Sequence, residues 1–180
     1  MKTSLLPVAC AVALWGMAAS AHVTLDQPAA AAGSTYKAAL RVGHGCDGSP
    51  TTGITVQLPA GLRGAHPVPK AGWTLTIKRD KLAQPYDNHG RSVTEDVVEV
   101  SWTAASREAW LDDAFYDEFV VRGQLPDRPG PLWFKVLQAC EKGANHWAEI
   151  PASGTSTQGL KAPAALLEVT PANAAGAHHH

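Results

Sequence analysis

Nine short runs with strand character, each closed by Gly, Pro, Asp or Ser, restrict the fold of this chain more than any other feature of it. They are His22 to Gln27, Ser34 to Val42, Gly53 to Leu58, Trp73 to Lys78, Val97 to Thr103, Phe115 to Gln124, Leu132 to Ala139, Asn145 to Ile150 and Leu166 to Val169. Runs of this length and spacing predict an all-β chain, an antiparallel β-sandwich with Greek-key, Ig-like connections. In Tyr36 to Val42 and Thr52 to Leu58, apolar and polar residues alternate, so one face of each strand is expected to be wet. The one helical candidate is Ser106 to Asp113, where Ser106 can cap and Glu108 complements the helix dipole. Gln84 to Asp96 is polar without periodicity and reads as a long hairpin loop. Trp73, Trp102, Trp110 and Trp133 are expected to fill the core.

Ahead of the strands, Met1 to Ala21 reads as a secretory signal. Lys2 supplies the positive start, Leu5 to Met17 is apolar but too short to span a bilayer, and Ala19-Ser20-Ala21 is a small-x-small cleavage site. Cleavage after Ala21 makes His22 the first residue of the mature chain. The expected organisation is a signal over 1–21, a β-sandwich over 22–170 and a tail over 171–180. That tail is Ala-rich and closes in His178, His179 and His180, either a native metal-capturing tract or the remnant of a purification tag, and it is left out of the site. No later stretch has the eighteen or so apolar residues of a spanning helix, so a periplasmic or secreted location is expected. The whole chain carries 15 basic and 16 acidic residues. That balance leaves no electrostatic footprint for nucleic acid.

Cys10 departs with the signal, which leaves Cys46 and Cys140 as an even pair for an oxidising compartment. A disulfide is expected, closing a loop of roughly 95 residues and worth ~4–5 kcal/mol in the chain-entropy treatment. The competing reading makes both thiolates metal ligands, although His44-Gly45-Cys46 has no C-x-x-C companion. Both methionines, Met1 and Met17, lie in the signal. Soft-ligand copper chemistry is therefore poorly supported, and imidazole, amine and carboxylate remain as donors.

A histidine in first position offers one metal ion both its α-amine and its imidazole. The amine ordinarily titrates near ~7.7–8, so copper(II) displaces a weakly held proton. Copper(II) also heads the divalent affinity order at nitrogen sites and accepts the tetragonal plane that such a terminus begins. The third ligand has four candidates. His44 lies between glycines beside the cysteine, where it can be held rigidly. His66 precedes Pro67 in a Pro-rich loop, and His89 sits in the turn-like Asp87-Asn88-His89-Gly90. His146 should point outward if its neighbour Trp147 points inward.

His-Val-Thr-Leu at the mature start, Tyr-Asp-Glu-Phe at 116–119 and Gly-x-x-x-Trp at 143–147 resemble the YcnI-like family of copper-binding proteins over nearly the whole mature chain. The resemblance implies a β-sandwich that holds copper(II) through the terminal histidine, here His22, with an acidic loop residue and a tryptophan, here Trp147, close to the metal. The sequence departs from that pattern at the acidic ligand, because Gly43-His44-Gly45-Cys46-Asp47 shows histidine where glutamate is expected. His44 then stands as the replacement, completing a two-histidine brace, and Asp47 and Glu118 are fallback carboxylates. An indole facing the metal would block an open coordination position, favouring retention over oxygen activation.

Three functions follow. The first is non-enzymatic: an exported copper(II) protein that captures the ion or delivers it to a copper transporter or a cupro-enzyme. The second is a brace-type oxidative enzyme resembling a polysaccharide monooxygenase. The third is a metal-free structural or adhesion sandwich.

Overall fold

The computed structural model of the protein describes residues 22–172. The expected signal over 1–21 and the histidines at 178–180 lie outside the described residues. Eleven strands follow one another: β1 (Thr24–Leu25), β2 (Ala29–Ala31), β3 (Thr35–Val42), β4 (Thr51–Gln57), β5 (Arg63–Pro67), β6 (Trp73–Asn88), β7 (Arg91–Ala104), β8 (Asp117–Gln124), β9 (Gly130–Cys140), β10 (Ala144–Trp147) and β11 (Ala165–Thr170). They make a sandwich of two sheets, one ordered β1-β3-β8-β5 and the other β2-β11-β9-β4-β7-β6, with β10 also paired to β9. Pairing is antiparallel apart from β2, which runs parallel to β11.

The core follows from alternation along the strands. Tyr36, Ala38, Leu40 and Val42 of β3 point inward and meet Leu132, Phe134 and Val136 of β9, while Ile54, Val100, Trp102 and Phe119 fill the middle. Trp102 and Phe119 join the sheets edge-on, their ring centroids 5.5 Å apart, an arrangement that adds roughly 0.5–1.5 kcal/mol to the burial itself. The Cys46–Cys140 disulfide links the loop after β3 to the end of β9, and so one sheet to the other. This excludes the thiolate-ligand reading, since the two sulfurs are bonded to each other.

Several expectations need correction. Ser106 to Asp113 contains a single 3-10 turn (Arg107–Ala109), and Ser106 gives no side-chain cap to its backbone. The Ser106 side chain instead bonds Glu108, which lowers that carboxyl's pKa. Gln84 to Asp96 is no loop: β6 runs on to Asn88 and β7 begins at Arg91. Between them His89 (φ 52°) and Gly90 (φ 80°) make a two-residue turn with both φ positive, the geometry that matches strand twist. His66 lies exposed in strand β5 instead of a loop. Of the four expected core tryptophans Trp102 is fully buried; Trp73 and Trp133 are half-covered, and Trp110 lies half-buried under the Arg107 guanidinium, 4.8 Å from its ring centroid. β6 forms one edge of the larger sheet and carries two register breaks, at Lys78/Arg79 and between Lys81 and Tyr86. No helix among the described residues is long and apolar enough to cross a membrane.

Candidate functional site

His22 stands just before β1, whose pairing with β3 sets Thr24 across from Arg41 and Leu25 across from Leu40. Continued by two residues beyond the strand's end, this antiparallel register would set His22 level with Gly43, next to His44. The His22 ring meets the Trp147 ring edge-on, with centroids 5.4 Å apart and planes at 89°. Trp147 comes from β10, where it lies across from Val136 of β9. It is 8% exposed, and its neighbour His146 faces solvent, as alternation requires. Trp147 is thus both a core residue and the partner of the histidine.

His44 is fixed by its own backbone. Its Nδ1 lies 2.6 Å from the Gly45 carbonyl, and because a carbonyl only accepts, Nδ1 carries the proton. In the neutral ring the lone pair is then on Nε2, the arrangement in which a histidine is ready to bind a metal. The loop around it is tight. Cys46 and Ser49 exchange backbone hydrogen bonds of 3.0 and 2.9 Å, and the Gly45 amide donates to Asp113 Oδ1 at 2.9 Å. At Gly45 a Cβ would run into the Ser49 carbonyl, so the glycine is a requirement of close approach.

The two fallback carboxylates stand in different settings. Asp47 is exposed at the tip of the Cys46–Ser49 turn with φ 49°. Glu118 lies on β8 across from Arg41, and its Oε1 accepts the Tyr116 hydroxyl at 2.7 Å. Desolvation and then this bond push the Tyr116 phenol up to about 12. Among the described residues no three His, Cys, Asp or Glu side chains gather as a set able to hold a metal. Side chains alone do not suffice, and a site at His22 depends on a backbone donor, the amine that cleavage would expose. Beside His22 a groove of about 490 Å³ opens to solvent, edged by Thr24, Arg41, Thr155, Thr157 and Ala165.

One residue absent from the sequence expectations ties these parts together. Gln138, 1% exposed, occupies the inward row of β9 after Leu132, Phe134 and Val136. Its Nε2 donates to the His44 carbonyl at 2.7 Å and to Thr51 Oγ1 at 2.8 Å, and its Oε1 accepts the Trp147 indole N–H at 3.1 Å. The signal was present in the sequence: an apolar alternation that ends on an amide puts a polar group in the core, and such a group needs partners.

Among curated proteins, none matches the chain. Among solved structures, an uncharacterized protein from Nocardia farcinica with an immunoglobulin-like fold is 29% identical, with a TM-score of 0.62 over 82% of this chain and 97% of that one. A type II cohesin domain from the cellulosome of Acetivibrio cellulolyticus is 12% identical, with a TM-score of 0.33 over 81% of this chain and 92% of that one. The first likeness agrees with the sandwich described above. Residues 22–169 match a family profile, so the chain belongs to the family described as Domain of unknown function (DUF1775), the domain family of YcnI.

Proposed function

We propose that the protein is exported, is trimmed to begin at His22, and binds copper(II) through the His22 amine and imidazole together with His44, as a carrier and not as an enzyme. The observation that carries this reading is the edge-on packing of His22 against the buried Trp147. It fixes the imidazole at the very residue where both the expected cleavage and the family match begin. The Nδ1-protonated His44 in the adjoining loop supports a second imidazole donor. The disulfide fits an oxidising compartment, periplasmic or extracellular. Copper(II) is the cargo, and the groove beside His22 gives it a path in and out, which suits capture and handover to a copper transporter or a cupro-enzyme. Indole packing on one side of the imidazole favours holding the ion over activating oxygen on it.

The test compares protein processed to start at His22 with the same chain carrying one extra residue before it, each titrated with copper(II) against a competing chelator. The extension turns the amine into an amide and should weaken binding by about tenfold or more, a factor equal to ~1.4 kcal/mol. Equal affinities would refute the terminal site.

A further inference from the structure

We propose that Gln138 is the positioning residue of this site: one end of its amide holds the Trp147 indole against His22, and the other holds the peptide that carries His44. What the site binds rests on the copper reading above; the clamp itself belongs to the metal-free protein.

The orientation of the amide follows from chemistry. An indole N–H can only donate, so the atom 3.1 Å from Trp147 Nε1 is the amide oxygen. The NH₂ group is then left with two hydrogens and meets two acceptors, the His44 carbonyl at 2.7 Å and Thr51 Oγ1 at 2.8 Å. A flipped amide would set donor against donor at the indole and oxygen against oxygen at His44. One side chain thus joins β10, the loop after β3 and β4, and it does so inside the core where solvent cannot substitute for a lost partner. Packing does not explain the amide. The same inward row of β9 is filled by Leu132, Phe134 and Val136, and a leucine would continue that series. What leucine cannot do is hydrogen-bond at once the tryptophan beside His22 and the peptide of His44, groups that the nearby Cys46–Cys140 disulfide ties together only through their backbones.

The experiment uses protein processed to His22, with Gln138→Leu and Gln138→Glu. Hydrogen exchange of the indole N–H groups is followed by NMR without metal. Trp102 serves as the internal control, because its indole donates to the Val68 carbonyl at 2.9 Å, away from Gln138. In Gln138→Leu the Trp147 indole N–H should exchange at least about tenfold faster while Trp102 is unchanged. Gln138→Glu keeps an acceptor for the indole and loses both donors, so Trp147 should stay protected while resonances of the His44–Cys46 loop shift. The copper(II) paramagnetic resonance spectrum of Gln138→Leu should differ from that of the parent. An unchanged Trp147 indole in Gln138→Leu overturns the clamp. A released indole with an identical copper spectrum overturns the positioning role and leaves Gln138 merely structural. If the parent protein takes no copper(II), the copper reading falls and the indole result alone judges the clamp. Should Gln138→Leu fail to fold, Gln138→Glu and Thr51→Val, which takes from the Gln138 amide one of its two acceptors, carry the same comparison: neither altering the loop resonances would overturn it.

Discussion

Replacing both cysteines, Cys46→Ala with Cys140→Ala, should cost this protein a large share of its stability. The cross-link spans a sequence separation of 94 residues. Closing a loop of that size removes ~4–5 kcal/mol of conformational entropy from the unfolded chain. Cys46 is buried, so alanine introduces no unsatisfied polar atom there. In a domain of this size each kcal/mol moves the melting midpoint by roughly 2–4 °C, so a fall of roughly 8–20 °C is expected. The H-G-C loop keeps three other tethers, the reciprocal Cys46–Ser49 backbone bonds, the Gly45–Asp113 bond and the bond from Gln138 to the His44 carbonyl. Its native position should survive, placing the loss chiefly in the unfolded state. Guanidinium titrations of the parent and double variant separate these effects. The midpoint should drop and the slope should rise, because the uncrosslinked unfolded chain exposes more surface. A loss under about 1 kcal/mol with an unchanged slope would refute the entropic reasoning.

His44→Ala should remove one nitrogen from the copper(II) paramagnetic resonance pattern; an identical spectrum would show that another group completes the site. Gly45→Ala drives a methyl group into the Ser49 carbonyl, and should cost about 1–3 kcal/mol in urea unfolding. Burial, and then the Asp26 carboxylate, push the Tyr36 phenol up to about 12 from an ordinary value of 10.0, and its hydroxyl donates to the Gln27 carbonyl at 2.6 Å. A raised pKa favours the protonated folded form, so its contribution is intact below pH ~10 and is lost as pH climbs from there toward ~12. Denaturation midpoints of Tyr36→Phe should fall less steeply across that window than those of the parent, and parallel slopes would count against it.

The sandwich was legible in the sequence because its signal is local. Alternation in Tyr36 to Val42 and the Gly and Pro punctuation report half-buried strands wherever they occur. The His89-Gly90 turn shows what local reading loses. The strands on either side of it project as an arm without a continuous apolar face, so they carry no period to detect. Their root is secured instead by Asp96, whose carboxylate accepts bonds from Tyr86, Gly64 and Val97. β5 was hidden by Gly64 and Pro67, residues that mark a loop unless a neighbouring strand recruits them. At the site, His22, His44 and Trp147 could be named from their chemistry and from family likeness. For Gln138 the alternation showed a buried amide but not its role, because two of its three partners, His44 and Thr51, are far away in sequence and brought near it only by folding.

The exposed margin of the larger sheet has a bearing on how the molecule behaves in company. A sixteen-residue outer strand offers a long ladder of open amides and carbonyls to any passing chain. Here four consecutive charged residues, Lys78, Arg79, Asp80 and Lys81, occupy its centre, Pro85 removes one donor, and two kinks break its line. An approaching copy would have to dehydrate those charges to zip alongside, so lateral growth into fibrils is blocked along this border.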